Sequence, residues 1–203
     1  MPGRNIVKVL INDSFYHLYN RGVNRAEIFI DNEDYSYFEW LLARNLNSQP
    51  LKDARGRRYN SLYGSVELNA YCLMPNHFHF LTYRLQQSGT SKLMHTLALS
   101  YAGYFNKKYK RRGPLFENSY RAVRIESESQ LLHVSRYIHL NHRDFRTWPH
   151  SSFSDYLSSP RSWITPSRVL NLFSSQETYR AFTLDYEQAQ RENESIKREM
   201  AGY

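Results

Sequence analysis

Two kinds of periodicity divide the chain. SFYHLYNRG (14 to 22) is rich in aromatic residues and ends in a glycine, which predicts a first strand and turn. DNEDYSYFEWLLARNLN (31 to 47) opens on acids and carries Phe38, Leu41 and Leu42 at helical spacing, so a helix is expected there. The stretch from 48 to 64 is punctuated by proline and glycine and holds Lys52, Arg55, Arg57 and Arg58, as a loop or hairpin tip would. Alternation returns in SVELNAYCLM, which places Val66, Leu68, Ala70, Cys72 and Met74 on one side of a second strand. Pro75 and Asn76 supply a tight turn, and HFHFLTYRL follows as a third strand. Leu93, Leu97, Tyr101 and Phe105 form one stripe of a helix over 90 to 111. GPLFENSYRAVRI (113 to 125) reads as loop then strand, and ESESQLLHVSRYIHLNHR (126 to 143) as a further helix.

Strand, helix, strand, strand, helix, strand is the ferredoxin-like βαββαβ order, an α+β class with an antiparallel sheet and helices on one face. A helix carrying Tyr137 follows it, and from TWPHSSF (147 to 153) onward the pattern weakens into a short helix near Asp155, a loop, and a polar helix from about Gln176. The expected division is a main domain over 1–158 and a C-terminal helical extension over 159–203. Tyr179, Phe182 and Tyr186 fall on one stripe of that extension, which fits packing better than a dimerisation helix and leaves monomer and homodimer both open.

Composition narrows the class of partner. The chain has 203 residues, enough for one substantial core, and its 27 Lys and Arg outnumber 19 Asp and Glu for a formal charge of +8. Such an excess favours an acidic partner, nucleic acid among them. The single cysteine, Cys72, excludes a disulfide framework and a cysteine-rich zinc site, and its apolar strand setting suits a buried thiol. No apolar run approaches the roughly 18 residues of a membrane span, and MPGRNIVKVL lacks the apolar stretch of a signal peptide. A cytoplasmic protein with no membrane partner is expected.

Candidate chemistry centres on YCLMPNHFHFLTY (71 to 83). Strand alternation sends His77 and His79 to one face and Phe78 and Phe80 to the other. A bare pair of this kind is more often a pair of hydrogen-bonded core histidines than a ligand set. On the helix from 128, Leu131, Val134, Ser135 and Ile138 make the core stripe, while His133, Tyr137 and Asn141 lie four apart on its flank. Tyr137 alone reads as a packing residue and Asn141 alone as a helix cap. Their combination with H-x-H in a basic, aromatic-rich frame changes that weighing.

The combination resembles the REP-associated tyrosine transposases, the single-tyrosine branch of the HUH endonucleases (transposase IS200-like). The segments that carry it are YHLYNRGVNRAEIF (16 to 29), LMPNHFHFL (73 to 81), RRGPLFENSYRAVRIES (111 to 127), RYIHLN (136 to 141) and HSSFSDY (150 to 156). The resemblance implies a ferredoxin-like fold, His77 and His79 as ligands of a divalent metal, Tyr137 as nucleophile, and Asn141 as the ligand that completes the set. It also implies single-stranded DNA folded into palindromic hairpins as substrate, nicked and transferred through a 5′-phosphotyrosine. The chain departs from the family pattern at His142, where a proline commonly follows the asparagine, and at His150, where a tryptophan usually precedes the paired serines.

Those roles are chemically coherent. A phosphotyrosine ester conserves the energy of the broken phosphodiester, so strands can be rejoined without ATP. Two imidazoles and an amide oxygen leave positions open on an octahedral ion, which suits Mg²⁺ or Mn²⁺ rather than a closed structural zinc. A phenol of ordinary pKa about 10 needs help to ionise, and His133 is a candidate helper. Lys107, Lys108, Lys110, Arg111 and Arg112 at a helix end could track phosphates, and Arg121 is a further DNA-binding candidate, although Arg121 and Arg124 have opposite strand parity and cannot share a face. Arg55, Arg57 and Arg58 could grip a hairpin stem, as could Arg21 and Arg25. The competing reading is a non-catalytic module that binds hairpin or single-stranded nucleic acid by stacking on its aromatic residues.

Overall fold

The computed structural model describes residues 11–185. Strands β1 (Ser14–Arg21), β2 (Val66–Met74), β3 (His77–Arg84) and β4 (Arg121–Ile125) form one antiparallel sheet in the order β2-β3-β1-β4. Helix α1 (Asn32–Leu46) joins β1 to β2 and α2 (Gly89–Lys108) joins β3 to β4, which is the ferredoxin-like order expected. Among the described residues, no helix is long and apolar enough to cross a membrane.

Alternation along the two central strands sorts the side chains. Tyr16 and Leu18 of β1 and Phe78 and Phe80 of β3 pack with Phe38, Leu41 and Leu42 of α1 and with Leu93, Leu97, Tyr101 and Phe105 of α2. Each such buried side chain stabilises the fold by roughly 1.5–3 kcal/mol. The helix α3 (Glu128–His139) covers the opposite face, where Leu131, Val134, Tyr137 and Ile138 meet Ala70, Cys72 and Leu81. Helices α1 and α2 thus share one face as expected, and the Tyr137 helix lies across the other.

The second strand departs from its expected alternation. Leu68 pairs with Thr82 and Ala70 with Leu81, so Asn69 is an extra residue, a β-bulge. Val66 and Leu68 consequently face α1 and α2, whereas Ala70 and Cys72 face α3. The bulged residue is held by α4 (Phe153–Leu157) and the segment after it: Tyr156 Oη donates to the Asn69 carbonyl at 3.0 Å, and Asn69 Nδ2 donates to the Thr165 carbonyl at 2.9 Å. Beyond β2 the edge is covered by residues 150 to 152. Leu73 N donates to the His150 carbonyl (2.9 Å) and Ser152 N to the Tyr71 carbonyl (3.0 Å), which blunts the exposed ladder.

Local signals set the helix limits. Asp31 and Asp34 form a reciprocal capping box at the start of α1. At the start of α3, Ser127 Oγ accepts from Gln130 N at 3.1 Å. The expected helix through residue 143 ends instead at His139. Asp144 N donates to His142 Nδ1 (3.0 Å), and the Asp144 carbonyl accepts from Thr147 N and Trp148 N, so side-chain and turn bonds displace the helical ones.

His139 ties α3 to its neighbours. His139 Nε2 is hydrogen-bonded to Ser152 Oγ at 2.8 Å, and that oxygen accepts from Tyr71 N at 2.8 Å. His139 Nδ1 is hydrogen-bonded to Tyr179 Oη at 2.7 Å. Tyr179 belongs to α6 (Gln176–Leu184), which follows the short α5 (Ser167–Leu170). Tyr179 is fully buried in the core under α3, and Phe182 packs against it, while Tyr186 lies outside the described residues. Burial pushes the His139 pKa down from 6.5 to about 3. Its stabilising neutral form is therefore fully present above about pH 6.5 and is lost as pH falls toward 3. In urea titrations below pH 6.5, wild type should lose stability more steeply than His139→Gln, by up to about 1.4 kcal/mol per pH unit. Equal slopes would show that the His139 ring is solvated in the folded state.

Candidate active site

The β1–β3 register sets Tyr19 opposite His79 and Arg21 opposite His77, on the face that α3 covers. Tyr137 reaches that face from α3, with its hydroxyl 3.5 Å from His79 Nε2. Asn141, two residues past the helix, brings Oδ1 to 3.1 Å from His77 Nε2. The structure thus gathers His77, His79, Tyr137 and Asn141, although Asn141 arrives from the turn after α3 and not from the helix face.

Hydrogen bonds on the far side of His77 fix which nitrogen faces the site. Asn76 Nδ2 donates to the Arg25 carbonyl at 3.1 Å, so Asn76 Oδ1 faces the ring and accepts from His77 Nδ1–H at 2.6 Å. Burial holds the His77 pKa below 6.5, with the Asn141 contact opposing and Arg21 reinforcing the shift. With its one proton on Nδ1, neutral His77 would turn an Nε2 lone pair toward the amide oxygen of Asn141. Two acceptors held together suit a shared cation, and ligands on neighbouring corners of an octahedral Mg²⁺ lie about 3 Å apart. His79 Nε2 points into the same space. Among the described residues no group of three or more His, Cys, Asp or Glu could hold a metal ion. Cys72 pairs with His79 across the strands, yet burial raises its thiol to about 12 and keeps it protonated. The residues present offer two imidazole nitrogens and an amide oxygen as donors, and no thiolate.

Tyr137 is buried, and desolvation pushes its phenol up to about 12, against an opposing hydrogen bond from Asn141. His17, on β1, lies behind His79, with Nε2 2.9 Å from His79 Nδ1. Burial lowers the His17 pKa to about 3. Sequence reasoning missed His17, Tyr19 and Asn76. The parity of Phe15, His17, Tyr19 and Arg21 was visible, but the pairing of β1 beside β3 that makes it matter was not. His133 accepts from Arg136 Nη2 at 2.9 Å and lies near Phe182 of α6, toward the helical layer behind the site.

The candidate DNA-binding cations occupy different settings. Arg21 flanks His77 and approaches Glu117 at 3.7 Å. Arg121 pairs with Tyr19 on the histidine face, Arg124 falls on the other face, and Arg25 is exposed in the turn after β1. Lys108 is held by Asp31 (2.8 Å), Glu33 (2.9 Å) and Asp34 (2.9 Å), so its charge is already compensated. Lys107, Lys110, Arg111 and Arg112 are exposed at and beyond the end of α2, and Arg55, Arg57 and Arg58 are exposed on a turn pinned by Asp53.

Residues 59–141, the stretch holding both histidines, the tyrosine and the asparagine, match the family model described as transposase IS200 like. Over that stretch the chain is similar to the IS200-like transposases. Among solved structures, it is similar to a REP-associated tyrosine transposase bound to a REP hairpin, at 14% identity and a TM-score of 0.54, covering 75% of this chain and 84% of that one. At that identity the likeness is one of fold. A second similar structure, described as a transposase from Deinococcus radiodurans, is 17% identical with a TM-score of 0.40 and covers 67% and 96% of the two chains. No curated protein matches the chain significantly.

An ultraviolet difference titration of wild type against Tyr137→Phe checks the enclosure of the phenol. The component removed should ionise near pH 12. Loss of a component near the ordinary pH of about 10 would show a phenol open to water.

Proposed function

We propose that this protein is a metal-dependent single-stranded DNA endonuclease and strand transferase that nicks beside palindromic hairpins, with Tyr137 as nucleophile. The observation that carries this reading is that the Tyr137 hydroxyl lies 3.5 Å from His79 Nε2 and Asn141 Oδ1 lies 3.1 Å from His77 Nε2, with the two imidazole centroids 5.0 Å apart. The transposase family match and the hairpin-bound structural relative support the choice of substrate.

In this reading Tyr137 Oη attacks a phosphodiester phosphorus. A 5′-phosphotyrosine ester forms as the bond to the 3′ oxygen breaks, and that oxygen leaves as a hydroxyl. Attack by a 3′ hydroxyl of another strand reverses the step and restores the free phenol, so no external energy source is consumed. His77 and His79 through Nε2, and Asn141 through Oδ1, would hold a Mg²⁺ or Mn²⁺ ion. Such an ion, when bound, withdraws charge from the phosphate oxygens. Arg21, beside His77, and Arg121, on the same face, lie where they can add positive charge along the strand. Lys107, Lys110, Arg111 and Arg112 extend that potential along the surface, while Lys108 serves the fold. Because Tyr137 is enclosed in this structure, substrate entry must uncover its hydroxyl before an in-line approach.

Incubation with hairpin-bearing single-stranded oligonucleotides and Mn²⁺ should give a covalent protein–DNA adduct on a denaturing gel. Tyr137→Phe should reduce the adduct to background while hairpin binding persists, and His77→Ala should lower its rate at least 100-fold, on the order expected for loss of a catalytic group. Adduct formation by Tyr137→Phe at the wild-type level would sink the nucleophile assignment. No adduct from wild type with Mn²⁺, despite hairpin binding, would favour a non-catalytic binding module.

A further inference from the structure

Behind the proposed ligand His79 stands a second imidazole that the chemistry above does not use. His17 is fully buried on β1, in register with Leu81, and its Nε2 lies 2.9 Å from His79 Nδ1. Its ring lies nearly parallel to that of His79 (centroids 5.0 Å, 16°), stacks on Tyr19 at 5.0 Å and 23°, and meets Tyr137 edge-on at 5.9 Å and 90°. A ring enclosed in this way is not free to swing away from the nitrogen it faces.

We propose that His17 is a positioning residue: its Nε2 accepts the Nδ1 proton of His79 and so keeps the His79 Nε2 lone pair directed at the space shared with His77 Nε2 and Asn141 Oδ1. The inference rests on the metal-binding role proposed for His79. When each imidazole carries a single proton, ring nitrogens that face each other at 2.9 Å hold one proton between them. With the proton on His79 Nδ1, His79 Nε2 is bare and can bind a cation or accept from Tyr137. With the proton on His17 Nε2, His79 must carry its own proton on Nε2, pointing at the Tyr137 hydroxyl 3.5 Å away and closing that corner of the site. His77 has the matching arrangement, since Asn76 Oδ1 accepts its Nδ1 proton and the Arg25 carbonyl fixes the amide. The two proposed ligands are therefore backed by acceptors from different parts of the chain, and only the His17 contact could in principle run in either direction. Outer acceptors of this kind orient metal-binding imidazoles and set their tautomer.

The direction can be read in the metal-free protein. A long-range proton–nitrogen correlation on ¹⁵N-labelled wild type at neutral pH should find the His79 proton on Nδ1 and His17 unprotonated at Nε2. A His79 proton on Nε2 overturns the proposal. Titration with Mn²⁺ alone, followed by the paramagnetic resonance of the free ion, gives a second test. His17→Leu should weaken uptake about 10- to 100-fold. His17→Gln, whose side-chain carbonyl can still accept, should remain within about threefold of wild type, and cooperative thermal unfolding establishes that both variants are folded. Wild-type affinity in His17→Leu overturns the proposal. If wild type itself takes up no Mn²⁺, the metal reading of the site fails, while the tautomer measurement still decides where the proton sits.

Discussion

The pairing of β1 with β3 sets Leu18 beside Phe80 and Asn20 beside Phe78, and in alternation His17 beside Leu81 and Tyr19 beside His79. One half of each strand enters the core under α1 and α2, while the other half faces α3. A slip of one residue would exchange the two sets, driving imidazoles into the apolar core and phenyl rings toward the site. Each buried ring contributes roughly 1.5–3 kcal/mol, so the core fixes the register far more strongly than the site residues could themselves. The position of the two proposed ligands is inherited from the packing of Phe78 and Phe80 on the far side of the same strand.

That face of the sheet is built from polar groups that stay neutral. His17 and His139 are held far below their ordinary range by burial, and the Tyr137 phenol and Cys72 thiol are held above theirs. A carboxylate in the place of His17 would bring an uncompensated charge into the interior, at a cost of several kcal/mol. An imidazole supplies an acceptor without that charge. With the protons of His77 and His79 on their outer nitrogens, as proposed, the two inner nitrogens and the oxygen of Asn141 would form a cluster of acceptors, an arrangement suited to a cation.

Much of this was legible in the sequence because it depends on short-range periodicity. The strand alternation of HFHFLTYR and the helical stripe of Leu131, Val134 and Ile138 follow from local geometry, and both survive in the structure. What was not legible depends on contacts between distant segments. The bulge at Asn69 is stabilised by Tyr156 and Thr165, nearly a hundred residues away, and nothing in SVELNAYCLM announces it. The early end of α3 is set by Asp144 and Trp148, which the periodic pattern around Tyr137 does not include. His17 is isolated from H-x-H by sixty residues and becomes a neighbour only through strand pairing. Lys108 looked like its basic neighbours until α1 brought three carboxylates to it.

The two departures from the family pattern meet on a single side chain. His142 stacks on Trp148 at 3.7 Å and 7°, and His150 meets the same indole edge-on at 5.3 Å and 81°. Trp148 is itself anchored, since its Nε1 donates to the Leu73 carbonyl at 2.9 Å on the strand that pairs with β3. A proline after Asn141 would stiffen the backbone by fixing φ. The stack of His142 on an anchored indole restrains the same turn through side-chain packing instead, and the bond from Asp144 N to His142 Nδ1 closes it. Asn141 lies between the last turn of α3 and this stacked pair, so its amide is held from both directions although it stands outside the helix. Trp148 supplies an aromatic surface from within the turn, and His142 and His150 both pack against it.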